Sequence, residues 1–149
     1  MDYISTRGQS PAVDSAQAVL SGLAPDGGLY MPRAIPAFDW QHCLTLSAQQ
    51  MSAAILSALL PDIPNMEALV KRAYTGKFET EDLTPTVPVG DFQVLELFRG
   101  PTSAFKDVAL SMLPQLLTAA KQEKGIAQEI RILTATSGDT GKAALVGFQ

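Results

Sequence analysis

The chain has 149 residues, enough for one domain with a real core, and 46% of them are hydrophobic, as in ordinary globular proteins. A net charge of −4, with no basic cluster longer than Lys71-Arg72, argues against a general nucleic-acid binder, and a single cysteine excludes an internal disulfide. Charged residues make up only 17% of the chain against a usual value of about 25%, which points to surface that more protein covers.

Met1 to Arg7 carries no apolar signal region, and the apolar stretch Ala53 to Leu60 is too short to cross a bilayer, so the cytoplasm is the expected compartment. Ser10-Pro11 reads as the start of a helix whose apolar stripe is Val13, Ala16, Val19 and Leu20, with Gly22 at its end. Ala24-Pro25-Asp26-Gly27-Gly28 is a turn, and Leu29 to Met31 a short strand. Ser47 and Gln50 form a capping box for a helix to about Leu60, broken by Pro61 and Pro64. A further helix covers roughly residues 65–75, with Gly76 as its cap. Val87 to Val89 and Phe92 to Phe98 read as a hairpin around Gly90-Asp91.

A long helix begins near Ala104 to Asp107 and runs to about Lys124, apolar enough to be well buried, with a distortion at Pro114. Gly125 ends it, and the apolar run Ile130 to Thr134 has the composition of a strand inside a parallel sheet. A Ser/Gly/Thr loop follows, then a helix from about Gly141 that has run only about two turns at Gln149. A parallel sheet needs more strands than are present, so the chain is expected to be the N-terminal part of a longer polypeptide.

Two segments carry chemistry. Lys106, between Phe105 and Asp107, stands where a turn passes into a helix. A helix N-terminus and burial beside Phe105 would both disfavour the ammonium form and leave a neutral amine able to attack a carbonyl. Asp107 suits the first helical turn electrostatically. The second segment, Thr134-Ala135-Thr136-Ser137-Gly138-Asp139-Thr140-Gly141, joins a strand end to a helix start. Exposed amides and hydroxyls there suit a carboxylate or phosphate. It is not a P-loop: Gly141-Lys142 fits, but Thr136 replaces the first glycine and Ala143 the metal-binding hydroxyl. His42-Cys43 lacks partners for a metal site, and Glu79, Glu81 and Asp82 read as a solvated acidic loop.

Together these segments resemble threonine synthase, a pyridoxal-phosphate (PLP) enzyme family. The resemblance rests on Tyr3 to Gly8, Gly22 to Tyr30, Gly100-Pro101-Thr102 with Ala104-Phe105-Lys106-Asp107, and Thr134 to Gly141, in that order. Arg99, Ser103 and Lys142 depart from the family's usual residues. The resemblance implies an α/β chain that is the N-terminal portion of a tryptophan-synthase-β-like (fold type II) PLP enzyme: residues 1–85 a mainly helical domain, 86–149 the start of the PLP-binding domain. It implies conversion of O-phospho-L-homoserine and water to L-threonine and phosphate. Lys106 would be the catalytic, PLP-bearing lysine, with Phe105 and Asp139 also at the cofactor and Ser137, Gly138 and Thr140 at the substrate. Ser5, Thr6 and Arg7 would serve the substrate or domain packing. The family's glycine-rich grip on the PLP phosphate lies beyond this stretch, so the 149 residues alone are expected to be inactive. The rival readings are another fold type II lyase, such as threonine dehydratase or cysteine synthase, and a non-catalytic structural or binding domain.

Overall fold

The computed structural model describes residues 1–149. Its elements are β1 (Tyr3–Ser5), α1 (Ser15–Ser21), β2 (Tyr30–Pro32), α2 (Trp40–Cys43), α3 (Ala48–Leu59), α4 (Met66–Tyr74), β3 (Thr86–Val89), β4 (Phe92–Leu95), α5 (Asp107–Glu123) and α6 (Asp139–Gly147). The strands form two antiparallel pairs, β1 with β2 and β3 with β4. No helix is long and apolar enough to cross a membrane.

The core lies among the helices. Tyr3, Ala16, Ala53, Leu69, Val70, Met112, Leu116 and Ala120 belong to one buried apolar cluster, so α1, α3, α4 and α5 share it. Polar contacts fix its edges. The Ser15 hydroxyl, fully buried at the head of α1, donates to the Asp62 carboxylate at 2.7 Å and accepts from the Asp62 N–H at 3.1 Å. This ties α1 to the α3–α4 turn, and the Ser15 hydroxyl is the main influence holding the Asp62 carboxyl below its ordinary pKa. The Tyr3 hydroxyl donates to the Leu59 carbonyl at 2.5 Å.

Most elements lie where the sequence predicts. The Ser47–Gln50 capping box is formed in both directions, at 3.0 and 3.3 Å. Gly22, Gly76, Gly90 and Gly125 take positive φ at the expected ends and turn. The first helix, however, begins at Asp14 rather than at Ser10-Pro11, because the Asp14 carboxylate caps the Gln17 N–H at 2.8 Å. Val13 instead exchanges backbone bonds with Tyr3, and the Ser10 hydroxyl accepts from the Asp26 N–H. The second hairpin strand stops at Leu95, three residues short of the expected end. Helix α5 is amphipathic rather than buried all round: Met112 and Leu116 are in the core, while Leu110, Leu113 and Leu117 are half-exposed.

The largest difference is at Ile130 to Thr134, which forms no strand, and no parallel sheet is begun. Leu133 is 94% exposed. A strand exists through its ladder, and these 149 residues supply this segment with no neighbour to pair with.

Candidate active site

The turn that delivers Lys106 is built around a buried acid. Asp107, 2% exposed, accepts the Thr102 N–H at 2.8 Å and the Thr102 hydroxyl at 2.6 Å. Gly100 lies flat against this carboxylate; a Cβ there would come within 2.5 Å of it. Ser103 takes a left-handed φ of 59°, and the Ser103 and Asp107 amides donate to Gly100 and Ala104, closing two successive turns. Asp107 therefore folds the loop as well as favouring the first turn of α5. That is more than its sequence position suggested.

Lys106 is the residue just before α5 and is half-buried. Its amine makes no hydrogen bond or ion pair with the rest of the chain; Nζ rests 4.6 Å from the centre of the Phe105 ring. The expected burial beside Phe105 is not found, because Phe105 is itself 61% exposed and offers only a ring face. Phe105 and Lys106 both line an apolar groove of about 490 Å³, shared with Leu56, Tyr74, Val108, Met112 and Leu116 among others. Tyr74 closes it from below, its hydroxyl donating to the Val108 carbonyl at 3.0 Å.

The second segment is organised by Thr136. Its hydroxyl oxygen accepts the Gly138 and Gly141 amides at 3.3 and 2.9 Å. Gly138 has a φ of 144°, and a Cβ at Gly141 would fall 2.7 Å from the same oxygen, so the loop requires both glycines. Helix α6 begins at Asp139, two residues earlier than expected. The amides of Ser137, Asp139 and Thr140 have no acceptor in the chain, and Ser137, Gly138 and Asp139 are exposed. Lys142 reaches from α6 to the Thr102 carbonyl at 3.4 Å, joining the second segment to the first. No hydrogen bond joins Lys106 to Ser137, Gly138, Asp139 or Thr140 directly.

The N-terminal segments interlock. The Ser5 hydroxyl donates to Asp26 at 2.7 Å and the Thr6 hydroxyl accepts from the Leu29 N–H at 2.9 Å. The Arg7 guanidinium donates to the Asp26 carbonyl at 3.0 Å. These residues pack the turn. Glu79, expected in a solvated loop, pairs with Arg99 at 2.7 Å, and Glu96 holds the same guanidinium at 2.7 Å. No group of three potential metal ligands is present.

In fold the chain is an α/β protein with small sheets, and it overlays on solved enzymes. A PLP-bound threonine synthase from Brucella melitensis matches 99% of it with a TM-score of 0.89 and 39% identity, over 33% of that chain. The threonine synthase of Escherichia coli matches with a TM-score of 0.80 and 36% identity, over 34% of its chain. In sequence, residues 2–74 match the family described as the threonine synthase N terminus. The threonine synthase of Methylobacillus glycogenes is 40% identical over 97% of this chain, and that of Saccharomyces cerevisiae 38% identical over 99%. Threonine synthase-like 2 of Xenopus laevis is 38% identical over 97%. The chain thus matches the N-terminal part of threonine synthases, and it spans about a third of the length of these curated relatives.

Proposed function

We propose that the protein carrying this chain converts O-phospho-L-homoserine and water to L-threonine and phosphate with PLP as cofactor, and that Lys106 holds the cofactor. The observation that carries this is the Lys106 amine, which has no carboxylate or carbonyl partner although its backbone is held on both sides by the Asp107 turn and α5. Lys124 by contrast is paired with Asp14; condensation with an aldehyde needs an amine that is free to react.

The residues fit PLP. A primary amine free of polar partners suits its aldehyde, and the ring face of Phe105 lies beside that amine. The unsatisfied amides at Ser137, Asp139 and Thr140, at the start of α6, suit a carboxylate. When bound, PLP supplies an electron sink for carbanionic chemistry at the substrate. Lys106 would hold it and would carry protons at the substrate. Ser137, Gly138 and Thr140 would orient the substrate carboxylate, and Asp139 would stand at the cofactor. Leu56, Val108 and Met112 give the lysine an apolar wall on one side.

In this reading the fold is the start of a fold type II enzyme. Residues 1–85 are its mainly helical domain and residues 86–149 the beginning of its PLP-binding domain, and its compartment is the cytoplasm. Residues 1–149 alone turn over no substrate, because the 130–141 side of the site lies open.

The test is phosphate release and threonine formation from O-phospho-L-homoserine by the natively expressed protein, with borohydride-reduced PLP mapped by peptide mass. The expected result is an adduct on Lys106 and loss of both products in Lys106→Ala. Keto-acid formation from threonine with no phosphate release would instead establish a dehydratase. Full activity in Lys106→Ala would remove the enzyme reading.

A further inference from the structure

We propose that Thr102 and Asp107 are positioning residues, whose paired side chains set where the Lys106 backbone leaves its turn and tie that turn to the α6 loop; this rests on the reading of Lys106 as the cofactor lysine. Every polar group of Thr102 is used. Its N–H and hydroxyl donate to the two oxygens of Asp107, and its carbonyl accepts from Lys142 at 3.4 Å. Both residues are buried, at 8% and 2% exposure. The carboxylate cannot rotate without losing one of its two bonds, and it cannot shift sideways because Gly100 is packed against it.

Lys106 lies inside the small loop these bonds close. On its other side its carbonyl accepts the Leu110 N–H at 2.8 Å, the first bond into α5. The amine has no polar contact of its own, so backbone placement alone decides where it starts from. Lys142 extends the effect: its own N–H donates to Gly138 at 2.8 Å while its amine holds Thr102, so one residue bridges the two segments of the site. Displacements of about 1 Å at a reacting group can cost about a hundredfold in rate, and a loosened turn permits displacements of that size.

Thr102→Val keeps the shape and the amide donor but removes the hydroxyl donor; Thr102→Ser restores it. Lys142→Met removes only the surface bridge and leaves the core untouched. Each variant of the natively expressed protein is stripped of cofactor and mixed with PLP. The Lys106 adduct is then fixed with borohydride at timed intervals over a range of pH. Amide exchange of residues 100–110 is followed separately without cofactor. Thr102→Val is expected to slow adduct formation about tenfold, with Thr102→Ser within about threefold of wild type and Lys142→Met about threefold slower. Exchange of the Thr102 amide should quicken in Thr102→Val alone among the Thr102 variants. A wild-type rate in both Thr102→Val and Lys142→Met overturns the inference, and so does equal slowing in Val and Ser. Wild-type protein that forms no adduct at Lys106 overturns the functional reading itself, and this inference with it.

Discussion

Gly28 shows how far a single residue is constrained. A Cβ there would sit 2.1 Å from the Ser5 hydroxyl oxygen, 3.0 Å from the Arg7 N–H and 3.0 Å from Asp26. Ser5 is buried and held by its bond to Asp26, so it cannot swing aside. Gly28→Ala should therefore destabilise the chain by about 1–3 kcal/mol, seen as a lower urea midpoint at unchanged slope. Lys106→Ala is the opposite case. With no polar partner and only partial burial, its loss should change stability by no more than about 0.5 kcal/mol while abolishing the borohydride adduct. The place of Lys106, where a turn passes into a helix, was legible from its neighbours in the chain. The packing of Phe105 was not, because whether an aromatic ring is covered depends on residues far away in sequence.

At the scale of elements, the turn at Asp26 carries a pH dependence. The Ser5 hydroxyl, then the Gly28 and Gln9 amides, hold this carboxyl at about 2 in the folded chain, against about 3.9 when unfolded. A lowered folded value means that its contribution is fully present above about pH 4 and is lost as pH falls toward 2. Asp14 and Asp62 are also lowered, chiefly by Lys124 and by Ser15 respectively, so Asp26→Asn should flatten the acid limb of the stability curve without abolishing it. Urea midpoints between pH 5 and pH 2.5 would show this. The pairing of α5 with α6 gives a second prediction. Pro114 has no N–H to offer the Leu110 carbonyl, and Gly147 lies against that carbonyl, where a Cβ would come within 2.1 Å. Gly147→Ala must push α6 off α5, so amide exchange in α6 should quicken well before the α3–α4 pair is affected. The capping box of α3 and the glycine ends were readable because caps are local. The start of α1 was misplaced because Ser10 had a second use, bonding to Asp26, that only the folded turn supplies.

For the whole molecule, one apolar cluster runs through α1, α3, α4 and α5 and so crosses residue 85 of the chain. Removing atoms from it should be felt throughout. Met112→Ala, at a site 4% exposed, should cost about 2–5 kcal/mol and shift a single cooperative transition, followed equally by signals from Trp40 and from far-UV dichroism. Two separate transitions, with only the later residues affected, would show that the core does not couple the segments. Away from this cluster the apolar residues of β4 and of the 130–133 stretch remain exposed, among them Phe92, Leu95, Ile132 and Leu133. Those at 130–133 have strand composition without a strand to pair with.

Lys106 in its motif, the glycine-bearing loop at Ser137 to Gly141, the capped helices and the hairpin were all decided by the sequence, since each depends on residues within a few positions of one another. The tertiary structure alone decided that Lys142 bridges to Thr102, that Ser5 and Asp26 interlock, and that Ile130 to Thr134 forms no strand. Burial, close packing and ladder pairing are properties of groups brought together from distant parts of a chain, and spacing along the sequence does not specify them.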